Sequence, residues 1–141
     1  MDRISKDRRS KNMSAIKNSG TKPEILMRKY LTQAGVRYRC NSKSLPGKPD
    51  VSVKKWKLAV NVHGCFWHGH KNCKNFRLPK SNVRFWREKI TRNRERDTSN
   101  RLDLEEAGFR YFEIWQCEIE RGDLEKLDEF ISEYWKARGI D

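Results

Sequence analysis

Two cysteines and a histidine fall within nine residues, Cys65, His70 and Cys73, in the spacing C-x4-H-x2-C. Thiolates and an imidazole are the ligands Zn2+ prefers, and a structural zinc site takes four of them in a tetrahedron. Cys117 is the best fourth ligand because the strand before it can return beside this knot, with Cys40 the spare. Such a closed site would stiffen a loop too short and too polar to fold by burial. Unliganded cysteines and histidine are the alternative.

A second set, Asp50 with His63 and His68, suits different chemistry. A carboxylate at a strand start is a hard oxygen ligand fit for Mg2+, which keeps waters and binds phosphate oxygens. An imidazole titrates close enough to neutrality to take a proton from an attacking water. Asp50 and His68 together could therefore hydrolyse a phosphodiester. A turn-forming aspartate and structural histidines compete with that reading. Between the two sets stand Phe66 and Trp67, with Trp86 further on. Adjacent large aromatics in a polar loop cannot both enter a core, and exposed ones could wedge between base pairs. Core packing of one of them is the rival.

These residues need elements to hold them. Thr21 reads as the N-cap of a helix with Pro23 in its first turn, an apolar face of Ile25, Leu26, Tyr30 and Leu31, and an end at Ala34-Gly35. Glu24 is there most simply a partner of the helix dipole. Val36 to Cys40 alternates as a strand, and 41–49 is a loop. Residues 50–53 and 58–62 form two β runs joined by the turn 54–57, an antiparallel hairpin that brings Asp50 toward His63. A long helix spans about Asn82 to Ala107, its apolar stripe turning polar at Asn93 and Asp97, as a contact face or a solvated helix would. An aromatic strand, 109–115, and an amphipathic helix with Leu124, Leu127, Phe130, Ile131, Tyr134 and Trp135 complete the chain. The order α-β-β-β-α-β-α describes a small mixed β-sheet flanked by helices, in the α/β class.

The partner is written in the charge. Lys and Arg number 32 against 19 Asp and Glu, a net +13, which points to nucleic acid ahead of an acidic membrane or an ordinary basic surface. The basic arm over 1–22 could order as a short helix on a phosphate backbone, with Met13 and Ile16 on one edge, or remain a solvated tail. Residues 23–141 are expected to form a single domain. No apolar run approaches a membrane span and the basic N-terminal stretch MDRISKDRRSKNM has no apolar h-region behind it, so a cytoplasmic protein without a secretory signal and with reduced cysteines is expected.

PGKPD, HGCFWHGH with its following Cys, FWREKITRNRERD and IWQC together resemble the very-short-patch repair (Vsr-type) mismatch endonucleases, from about Ser10 to Cys117. The resemblance implies a restriction-endonuclease-like core that nicks one strand of duplex DNA beside a T·G mismatch, with Mg2+. It implies that Asp50 and the Val62 main-chain carbonyl hold magnesium, that His68 is the general base, and that Glu24 and His63 support the site. Structural zinc falls to Cys65, His70, Cys73 and Cys117. Phe66, Trp67 and Trp86 would intercalate from the major groove and Met13 from the minor groove, while Lys89 and Asn93 touch the mismatched pair. Asp97 matches the helix motif without a fixed role.

In two places the chain departs from the family pattern. Gly69 stands in a run that is often His-rich, and the step from His70 to Cys73 is one residue longer. A monomer working at the bacterial nucleoid with repair proteins is the expected setting. A site- or structure-specific endonuclease of the same fold, or a zinc-stabilised DNA-binding module without catalysis, are the competing readings.

Overall fold

A computed structural model describes residues 21–139. Met13 and all but the last two residues of the expected basic arm lie outside the described residues. Thr21 instead caps helix α1 (Lys22–Gln33), its hydroxyl accepting from Glu24 N–H at 3.5 Å, and Pro23 occupies the first turn. Met27 and Leu31, one turn apart, are fully buried. Gly35 then turns the chain at φ +80°, a conformation that glycine adopts without strain.

Strand β1 is shorter than the alternating pattern predicts, covering only Arg39–Cys40. Val36 is drawn into the core and Arg37 N–H donates to the Tyr134 hydroxyl at 3.2 Å, so the first half of that stretch docks on a helix instead of a strand. β2 (Val51–Val53) and β3 (Leu58–His63) form the expected antiparallel hairpin, with Val51 opposite Val60. The turn between them is a 3₁₀ turn over Lys54–Trp56. Helix α2 (Val83–Glu106) crosses to β4 (Arg110–Trp115), which runs parallel to β3 from Leu58 opposite Arg110 to His63 opposite Trp115.

The sequence pattern missed helix α3 (Gln116–Glu120), where Glu118 Oε1 accepts from Trp115 N–H at 2.9 Å and turns the chain just after β4. Helix α4 (Glu125–Ala137) buries Leu127, Phe130 and Tyr134.

The pleat sorts residues to two faces of this mixed four-stranded sheet, ordered β1-β2-β3-β4. Val60, Val62, Phe112 and Ile114 join the main core with α1 and α4. Ala59 packs on the other face with Leu104 of α2 and Phe109. The same alternation therefore sends Asn61, His63, Tyr111, Glu113 and Trp115 toward the α2 side. Among the described residues no helix is long and apolar enough to cross a membrane.

Candidate functional site

Asp50 stands at the mouth of the hairpin. Val62 N–H donates to its Oδ2 at 2.7 Å, and its own N–H donates to Asn61 Oδ1 at 2.8 Å. Burial, and then the nearby Glu24 carboxylate, push Asp50 up to about 7. Glu24 is itself buried, with Arg28 at 3.6 Å. A buried and a half-buried carboxyl group on neighbouring elements fit a divalent cation. Val62 lies beside them on β3.

Facing Asp50 across a groove of about 880 Å3 are His63, His68 and Asp97. His68 Nδ1 and Asp97 Oδ2 are 2.5 Å apart, so Asp97 of α2 accepts a hydrogen bond from Nδ1–H in the tautomer that keeps a lone pair on Nε2. The polar turn of the helical stripe at Asp97 left a contact face and a solvated helix equally open; the packing of α2 on the sheet gives Asp97 its partner. His63 stacks parallel on His68, ring centroids 4.2 Å apart. Burial, reinforced by His68, pushes His63 down to about 4, so it stays neutral at neutral pH. Its Nδ1 is 3.6 Å from Glu113 Oε2 and its Nε2 is 3.4 Å from the Tyr111 hydroxyl.

The soft-ligand set gathers on the other side of Trp115. One ligand atom each from Cys65, His70, Cys73 and Cys117 lie within 4.8 Å of one another, and all three thiols are free. Parallel pairing explains the meeting of Cys65 and Cys117. His63 is opposite Trp115, so the residues two beyond each strand end emerge side by side. Cys117 Sγ is 3.5 Å from His70 Nδ1. Burial raises the Cys65 thiol, while the Asn75 backbone N–H lowers that of Cys73. Four soft donors at this spacing fit a tetrahedral ion. Cys40, exposed on β1, is not part of the cluster.

Trp115 divides the two sets. His70 lies flat on its indole at 3.9 Å, while His63 meets it edge-on at 5.1 Å.

A profile of the family described as DNA mismatch endonuclease Vsr matches residues 1–75. The chain is 44% identical over 134 residues to the Type II nicking enzyme V.NmeAIP of Neisseria meningitidis serogroup A, covering 94% of this chain and 95% of that protein. The Type II nicking enzyme V.XorIIP of Xanthomonas oryzae pv. oryzae is 42% identical, over 90% of this chain and 91% of its own length. The DNA mismatch endonuclease Vsr of Escherichia coli is 40% identical, over 89% and 79%. This chain belongs to the Vsr family.

Five aromatic residues of this Vsr-family chain form a cluster that meets the groove at Trp67. Phe66 meets Trp67 and Trp86 each at 5.4 Å, and Phe76 and Phe85 extend the group. Phe85 is 53% exposed beside Trp86, a residue that the helical pattern had not marked. Asn93 Nδ2 donates to the Trp67 carbonyl at 2.8 Å, and Arg94 donates to the carbonyls of His68 and Gly69. α2 thus grips the loop that carries both histidines. Lys89 and Asn93 line the groove with Asp50.

Gly69, one of the two departures from the Vsr pattern, sits at φ +60°, and a Cβ there would fall 2.5 Å from Ile90 Cγ2. In this chain the position takes no side chain.

Proposed function

We propose that this chain is a DNA mismatch endonuclease that nicks one strand of duplex DNA next to the T of a T·G mismatch, initiating very-short-patch repair by Mg2+-dependent hydrolysis. The observation that carries the reading is the His68–Asp97 pair set across one groove from Asp50, beside an aromatic rim. Family membership and the nicking activity in the names of the relatives support the reaction class. The mixed sheet with helices on both faces supports a restriction-endonuclease-like core for a single domain over 23–141.

His68 Nε2 takes the proton of the attacking water, and Asp97 fixes the tautomer and stabilises the imidazolium that forms. A magnesium ion on Asp50 and the Val62 main-chain carbonyl would stabilise charge on the phosphate oxygens. Glu24 adds negative charge beside Asp50, and His63 supports the His68 ring by stacking. Cys65, His70, Cys73 and Cys117 would hold a structural zinc, which would brace the loop between β3 and α2. Phe66, Trp67 and Trp86 open the stack from the major groove while Met13 enters from the minor groove, and Lys89 and Asn93 touch the mismatched pair. The net charge of +13 supplies the phosphate grip for a monomer at the bacterial nucleoid.

The deciding experiment is strand-specific nicking of a labelled T·G duplex beside its T·A twin, with Mg2+, by wild type and Asp50→Ala. Nicking beside the mismatched T, absent from the mutant and the twin, is expected. Equal cutting of the twin would replace mismatch repair with a site-specific nuclease. Tight binding without cutting would leave a DNA-binding module.

A further inference from the structure

On the α2 side of the sheet, the chemistry above leaves one chain of hydrogen bonds unused. Donor and acceptor types fix its direction. The Asp50 backbone N–H can only donate, so the Asn61 atom 2.8 Å away is its carbonyl oxygen, and the Asn61 amino group faces the Tyr111 hydroxyl at 3.2 Å. Tyr111 Oη therefore accepts from Asn61 and has its own proton to donate to Glu113 Oε2 or to His63 Nε2, each at 3.4 Å. Glu113 also faces His63 Nδ1 at 3.6 Å. β4 thereby reaches across β3 to the backbone of Asp50.

Packing alone does not account for this. The Tyr111 ring lies against the Ala59, Leu104 and Phe109 cluster, and that contact needs no hydroxyl. The hydroxyl serves the Asn61 amide, and the amide serves Asp50. A metal-binding carboxylate works only when held within about half an ångström of its place, and hydrogen bonds from neighbouring shells do that holding. Val62 N–H fixes the Asp50 carboxylate, whereas the Asn61 link fixes the backbone from which it projects.

We propose that Asn61 and Tyr111, anchored by Glu113, are positioning residues that hold Asp50 for its divalent cation. The proposal rests on the reading of Asp50 as that cation's ligand.

The test uses the zinc-loaded full chain and reads Mn2+ binding by electron paramagnetic resonance, beside the Mg2+ dependence of T·G nicking. Tyr111→Phe removes one oxygen and keeps the ring. Losing one net hydrogen bond should weaken Mn2+ about fivefold and raise the Mg2+ needed for half-maximal nicking by a similar factor. DNA affinity and the rate at saturating Mg2+ should stay at wild-type levels. Glu113→Gln, which keeps an acceptor oxygen, should bind Mn2+ like wild type, and Glu113→Leu like Tyr111→Phe. Wild-type Mn2+ affinity in Tyr111→Phe overturns the proposal, and it decides alone if Glu113→Leu does not fold. Asp50→Ala that still binds Mn2+ normally would instead overturn the assignment of Asp50, whatever Tyr111 does.

Discussion

The two ligand-rich sets of this molecule share one loop, one tryptophan and almost one neighbourhood, yet they are built on opposite terms. Cys65, His70, Cys73 and Cys117 face one another and can complete a tetrahedron without help from solvent or substrate. Asp50, His63, His68 and Asp97 line an open groove and leave work for a cation and a phosphate to do. The first arrangement suits a brace and the second a reaction. Their linkage is lopsided, because His68 rides on the segment between Cys65 and His70. Loss of the brace should disarm the reaction, whereas loss of the reaction should leave the brace intact.

The sharpest way to break that asymmetry is His68→Ala. Nicking of a T·G duplex should fall about a thousandfold, ~4 kcal/mol, the scale of a lost general base. Zinc content and melting temperature, read by metal analysis and calorimetry, should match wild type. Cys117→Ser tests the other direction. It should lose zinc and on the order of 3 kcal/mol of stability, measured by metal analysis and denaturant titration, and nicking should fall with them. Full nicking in a zinc-free protein would uncouple the two sets.

Asp97→Asn refines the reaction side alone. An amide can still accept from His68 Nδ1 but stabilises the imidazolium less, so single-turnover nicking should slow about a hundredfold with duplex affinity unchanged in a binding titration. The smallest effect should come from Gly69→Ala. The strained φ and the contact with Ile90 should cost about 2 kcal/mol of thermal stability. Because Gly69 separates His68 from His70, this substitution should weaken zinc retention and nicking together.

Much of this was legible in the sequence, and the exceptions have physical causes. Helix and strand order followed from periodicity, and the grouping of Cys65, His70 and Cys73 from spacing. β1 was read too long because Val36 alternates correctly yet is claimed by the core. α3 is five residues long, too short for a periodic signal. Asn61, Tyr111 and Glu113 went unmarked because their meaning depends on β3 lying parallel to β4, a pairing between distant segments that local pattern does not carry. The Asp97–His68 contact was hidden for the same reason, since it forms only when α2 docks.

That parallel pairing also bears on the order in which the chain can assemble. β3 and β4 are joined by the whole Cys/His-rich loop and α2, so their ends must find each other across a long, entropically costly connection, the kind of contact that slows folding. Cys65 and Cys117 stand just beyond those two ends. An ion captured by both would hold the strands in register while the remaining hydrogen bonds zip toward Leu58 and Arg110. In kinetic terms the metal would act as an assembly clamp, and refolding after chelation should be slower than refolding with the ion present.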